Sequence, residues 1–73
     1  MDYFEWAEEY AENALRVRQV IEKKKRLLND RGLSSDARKA LTECIISYRV
    51  IYRELLHNAE TLRKRGEAYR YAS

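Results

Sequence analysis

The stretch Asn29-Asp30-Arg31-Gly32-Leu33-Ser34-Ser35-Asp36 lies near the middle of the chain and decides how it folds. Asn29 to Gly32 reads as the end of a helix, with Gly32 expected at the C′ position, where a left-handed backbone costs glycine nothing. Leu33 is placed to close that motif against the end of the first helix. Ser34 or Ser35 is an N-cap for a second helix, and Asp36 puts a negative charge at the positive end of its dipole. A stop, an apolar clasp and a start so close together force the flanking helices antiparallel.

Outward from this turn, both arms carry helical periodicity. On the N-terminal side apolar residues recur at Tyr3, Ala7, Tyr10, Ala14, Val17, Ile21 and Leu28, with a charged intruder at Lys24. On the C-terminal side the series is Leu41, Ile45, Tyr48, Tyr52, Leu55, Ala59, Leu62, Gly66 and Tyr69. Spacings alternating between 3 and 4 average 3.5, the heptad period of a left-handed coiled coil. Asp2 with Glu5 has the pattern of a capping box, and the basic run Lys23 to Arg26 suits the other end of that helix. The expected fold is all-α: one helical-hairpin domain, 1–73, with helix 1 about 2–31, a turn at 32–34 and helix 2 about 35–70. Glu67 to Ser73 outrun the first helix and are expected to fray.

Composition agrees with long helices. Charged residues make up 37% and there is no proline. With 73 residues, a single core is thin and a partner chain is the expected source of further burial. The apolar stripes are wider than a two-helix seam needs, since Trp6, Val20 and Leu27 flank the first, and Cys44, Ile51 and Leu56 the second. A homodimer forming a four-helix bundle is therefore expected, with Tyr10, Val17, Ile21, Tyr48, Ile51, Tyr52 and Leu55 as the self-association set. Ile46 and Val50 fall nearly opposite and form a candidate outer surface for a protein partner.

Charge is unevenly distributed. Residues 1–15 hold five acids and no base, and residues 16–31 hold seven bases and two acids. Arg16, Arg18, Lys23, Lys24, Lys25, Arg26, Arg31, Arg38 and Lys39 gather at the turn end, and of these Lys23, Lys24, Lys25, Arg26, Arg31, Arg38 and Lys39 are the candidate phosphate-binding set. The plainer reading is a solvated helix surface, and no recognition helix or RNA-binding aromatic signature accompanies the cluster. Tyr48-Arg49 and Tyr52-Arg53 alternate ring and charge, but successive residues on a helix point apart. In an antiparallel hairpin the acidic start of helix 1 also lies beside Arg63, Lys64, Arg65 and Arg70.

Catalytic and cofactor signals are absent. His57 lacks a second ligand at metal spacing, Cys44 reads as a small buried hydrophobe, and no nucleophile elbow or P-loop occurs. The expectation is a non-enzymatic protein without cofactor. No apolar run is long enough to span a bilayer, and the acidic N-terminus is unlike a signal peptide, so a soluble, cytoplasmic location is expected. Met1-Asp2-Tyr3-Phe4, Ala7-Glu8-Glu9-Tyr10 and the basic segment from Ile21 to Leu28 resemble the N-terminal helical part of small proteins from phages and integrative elements of Gram-positive bacteria. Some of these are similar to late-gene regulators of the ArpU type. The helix-turn-helix of such regulators does not follow here. The resemblance implies a mobile-element origin and a protein that acts by binding a host or phage protein.

Overall fold

A computed structural model describes residues 2–72, in the order α1 (Tyr3–Leu27) and α2 (Ser35–Ala72). The two helices lie antiparallel along each other in a rod of 60 × 15 × 14 Å. Helix α1 begins where Asp2, in extended conformation, accepts the Phe4 N–H on Oδ1 at 2.8 Å. Its carbonyl takes the Trp6 N–H at 3.1 Å, closing the first turn.

The connection departs from the sequence expectation. Helix α1 ends at Leu27 instead of 31, the link occupies residues 28–34 instead of 32–34, and α2 continues to Ala72 instead of 70. Ala72 and the residues from Glu67 are helical; Ser73, like Met1, lies outside the described residues. Gly32 does not take a positive φ, so the left-handed cap expected there is absent. Other groups satisfy the helix end. The Asn29 and Asp30 N–H groups tighten onto the carbonyls three residues back, Arg26 and Leu27, each at 3.1 Å. Asp30 then accepts the Gly32 N–H on Oδ1 at 2.9 Å and the Leu33 N–H on its carbonyl at 3.3 Å. With the side chain of Asp30 making the turn, no left-handed residue is required.

Arg38, one turn into α2, reaches back across the link. Its guanidinium donates to the Leu28 carbonyl at 2.7 Å and the Asp30 carbonyl at 3.2 Å. The Leu28 carbonyl caps the negative end of α1, where a cation is favoured, and the Asp30 carbonyl lies in the link just beyond it. Between the two serines, Ser34 is the cap: its Oγ accepts the Ala37 N–H at 3.1 Å.

The seam follows the heptads. Ala7, Ala14 and Ile21 of α1 and Ile45, Ala59 and Leu62 of α2 are the buried apolar side chains, and Gly66 is buried with them. Half of that set is alanine. At the open end small residues let the helices close in: a Cβ on Gly66 would stand 3.0 Å from the Phe4 ring and 3.2 Å from Tyr3 Cβ. Tyr3 meets Tyr69 there at a centroid distance of 6.3 Å. Nearer the turn the seam is filled by larger side chains, Ile21, Ile45 and the half-buried rings of Tyr48 and Tyr52.

Candidate self-association face and cationic groove

Assigning heptad position a to Ala7, Ala14 and Ile21 and to Ile45, Tyr52, Ala59 and Gly66 sorts the remaining residues by side. In an antiparallel pair the e positions of both helices share one flank and the g positions the other. The Arg70 guanidinium lies 4.9 Å from the Phe4 ring centroid, an e-to-e contact that fixes this register.

On the g flank stand Trp6, Val20 and Leu27 of α1 with Cys44 and Ile51 of α2. Their burial is incomplete: Leu27 keeps 54% of its surface open, Ile51 43% and Trp6 37%, while Val20 and Cys44 are half-buried. Residues pair across the seam with numbers summing near 72, as in Tyr3 with Tyr69 and Lys24 with Tyr48. By that rule Val20 falls opposite Ile51 and Leu27 opposite Cys44, which makes one continuous apolar patch beside the turn.

The e flank at the same level is cationic. Arg18, Ile21, Glu22, Lys25, Arg49, Tyr52 and Arg53 line a groove of about 280 Å³ between the helices. Glu22 is the single acid among them and is 3.8 Å from Lys25. The side chains of Arg18, Arg49 and Arg53 make no ion pair or hydrogen bond with another described residue. The ion pairs of Glu22 with Lys25 and of Glu60 with Lys64 run along single helices. At the open end the acidic start of α1 meets α2 through aromatic contacts, Tyr3 with Tyr69 and Phe4 under Arg70.

The self-association set named from sequence is divided by this geometry. Ile21 is only 6% exposed and is spent inside the hairpin, so it is not part of a face for a second copy. Tyr52 turns its open edge into the cationic groove, away from the apolar flank. Tyr10, Val17, Tyr48 and Leu55 are half-buried seam residues, and Ile51 lies on the open flank. Val20, Leu27 and Cys44 belong beside Ile51, while Trp6 lies on the same flank near the open end; their signal in the sequence was the widening of the stripes. Ile46 and Val50 are exposed on the outer side of α2, as their helical phase indicated.

The phosphate-binding set is likewise dispersed. Arg38 is committed to the carbonyls of the link, which removes it from a free basic tip. Lys24, half-buried, holds its Nζ 5.8 Å from the Tyr48 ring centroid, so the apparent intruder in the apolar stripe is a cation–π contact across the seam. Lys25 faces Glu22, and Arg26 Nε donates to the Glu22 carbonyl at 3.4 Å. Lys23, Arg31 and Lys39 are exposed. Arg18 reads in the sequence as part of the turn-end run, and Arg49 and Arg53 as residues pointing away from Tyr48 and Tyr52; only the antiparallel fold brings the three to one groove.

Among the described residues no three His, Cys, Asp or Glu side chains are placed to hold a metal, and no helix is long and apolar enough to cross a membrane. Comparison with family profiles, with curated proteins and with solved structures finds no match to this chain.

Proposed function

We propose that the protein is a self-associating helical hairpin, a non-enzymatic interaction module that pairs with a second copy through the g flank to form a four-helix bundle. One observation carries this reading. The chain exposes 6034 Å², whereas a folded monomer of its 8.8 kDa mass typically exposes about 4,800 Å². The surplus of roughly 1,200 Å² per chain is more than the ~800 Å² that each partner of a standard dimer interface removes from water. On the g flank Leu27, Ile51 and Trp6 keep apolar surface open beside half-buried Val20 and Cys44, and Lys24, which lies between Val20 and Leu27 on α1, turns its Nζ over the Tyr48 ring. Burying that patch is favourable at about 25 cal/mol per Å².

In this reading the dimer works in the cytoplasm without a cofactor and presents the outer face of α2, with Ile46 and Val50, to an unlike protein. The resemblance of the first helix to proteins of Gram-positive phages and integrative elements supports an accessory or inhibitor role encoded by a mobile element. Light scattering over a concentration series tests the pairing. A dimeric mass is expected for the natural chain and a monomeric, still helical species for L27R/I51R. A folded monomer at every concentration overturns it.

A further inference from the structure

Coiled coils usually place opposite charges across their flanks, where each pair adds a little stability and fixes orientation. The e flank of this hairpin does the reverse. Arg18 and Lys25 of α1 converge with Arg49 and Arg53 of α2 on one groove, against a single acid. Five of the chain's twelve acids lie in residues 1–15, away from the turn, and of the other seven only Glu22 lines the groove. Bringing like charges together lowers stability unless an anion from outside neutralises them. Folding alone gives no reason for three arginines without an acidic partner around one groove.

We propose that this inter-helix groove binds the phosphate backbone of nucleic acid. Guanidinium groups present planar, paired donors that match phosphate oxygens. Heptad spacing sets Arg18 and Lys25 about 10 Å apart along α1, so the cations follow the rod axis and can track a strand laid along it. The floor argues against a docked helix. A partner helix anchors through apolar residues at i, i+3, i+4 and i+7; this groove offers Ile21, itself buried, and one edge of Tyr52, with charge at its rim. A ligand recognised through charge alone fits that surface. The site differs from the turn-end tip, because it lies between the helices and joins Arg18 and Lys25 of that basic run to Arg49 and Arg53 of α2. It is also independent of self-association: the groove is complete within one chain and faces away from the apolar flank.

The experiment is fluorescence anisotropy with labelled 20-nucleotide single strands and duplexes of mixed sequence, titrated with the full chain at a series of salt concentrations. If about three phosphates are neutralised, affinity falls about 40-fold between 50 and 200 mM salt on a duplex. The triple variant R18Q/R49Q/R53Q is expected to lose about tenfold or more in affinity at the lowest salt and most of the salt dependence. K64Q/R65Q, at the other end of the rod, is expected to stay within about twofold of the natural chain. Circular dichroism establishes that each variant keeps its helices. The monomeric L27R/I51R chain is expected to retain binding, so failure of the dimer leaves this test intact. Absence of binding at low salt overturns the proposal, as does a triple variant that binds like the natural chain. Tighter capture of polyglutamate than of nucleic acid at equal charge also overturns it and assigns the groove to an acidic protein.

Discussion

The two flanks of the seam beside the turn are built from the same two helices at the same height, yet they carry opposite chemistry. Val20, Leu27, Cys44 and Ile51 make one side apolar; Arg18, Lys25, Arg49 and Arg53 make the other cationic. Heptad positions a and d decide only that the helices pair, while positions e and g decide what the pair can do next. In a parallel arrangement e faces g, and each apolar g residue would sit against a charged e residue. The antiparallel turn places e with e and g with g, so it concentrates both properties instead of mixing them. Water rejects one flank and solvates the other, which is why a second copy and a polyanion fit different sides of one rod.

The largest break in this comparison removes the seam that both flanks share. Ile45→Ala, at a site 5% exposed, is expected to cost about 2–4 kcal/mol, and urea unfolding followed by circular dichroism should show the midpoint collapse. In so thin a core, that loss approaches the whole stability of the hairpin. Next in size is the apolar flank alone. L27R/I51R should raise the dimer dissociation constant about 30-fold, roughly 2 kcal/mol, with helicity retained once the chain is monomeric. Sedimentation that shows an unchanged dimer would place the interface elsewhere.

A smaller effect is expected at the link that sets the antiparallel register. Arg38→Ala removes two donors from the Leu28 and Asp30 carbonyls and should lower stability by about 1 kcal/mol. The cationic flank responds with the opposite sign. Arg49→Glu puts a carboxylate among Arg18 and Lys25 and should raise stability by about 0.5 kcal/mol at low salt, a gain that disappears in high salt. The same substitution should weaken nucleic-acid binding, so thermal melts and anisotropy would move in opposite directions. Least is expected from I46S/V50S, outside both flanks: stability should shift by no more than about 0.5 kcal/mol and the dimer should persist.

Much of this arrangement was legible in the residues. The alternation of 3 and 4 identified both helices, and the core at Ala7, Ala14, Ile21, Ile45, Ala59 and Leu62 lies on the stripes it defines. Asp2 and Ser34 cap as their side-chain oxygens require. The link was misread because Gly32 suggests a left-handed cap by residue type, while Asp30 and Arg38 supply the missing hydrogen-bond partners through contacts that no local pattern reveals. Lys24 read as an error in the stripe for the same reason: its partner, Tyr48, is brought near only by the turn.

Periodicity and capping chemistry are local properties, encoded within a few residues, so the sequence by itself determined that there are two helices, that they run antiparallel, and which stripe of each is buried. Tertiary structure decided which residues stand together across the seam: Arg38 on the end of α1, Lys24 over Tyr48, and the separation of an apolar flank from a cationic one. The physical reason is distance. Charges and methyl groups act over a few ångströms of space, and the fold brings within that range residues that the chain keeps far apart, 24 positions in the case of Lys24 and Tyr48.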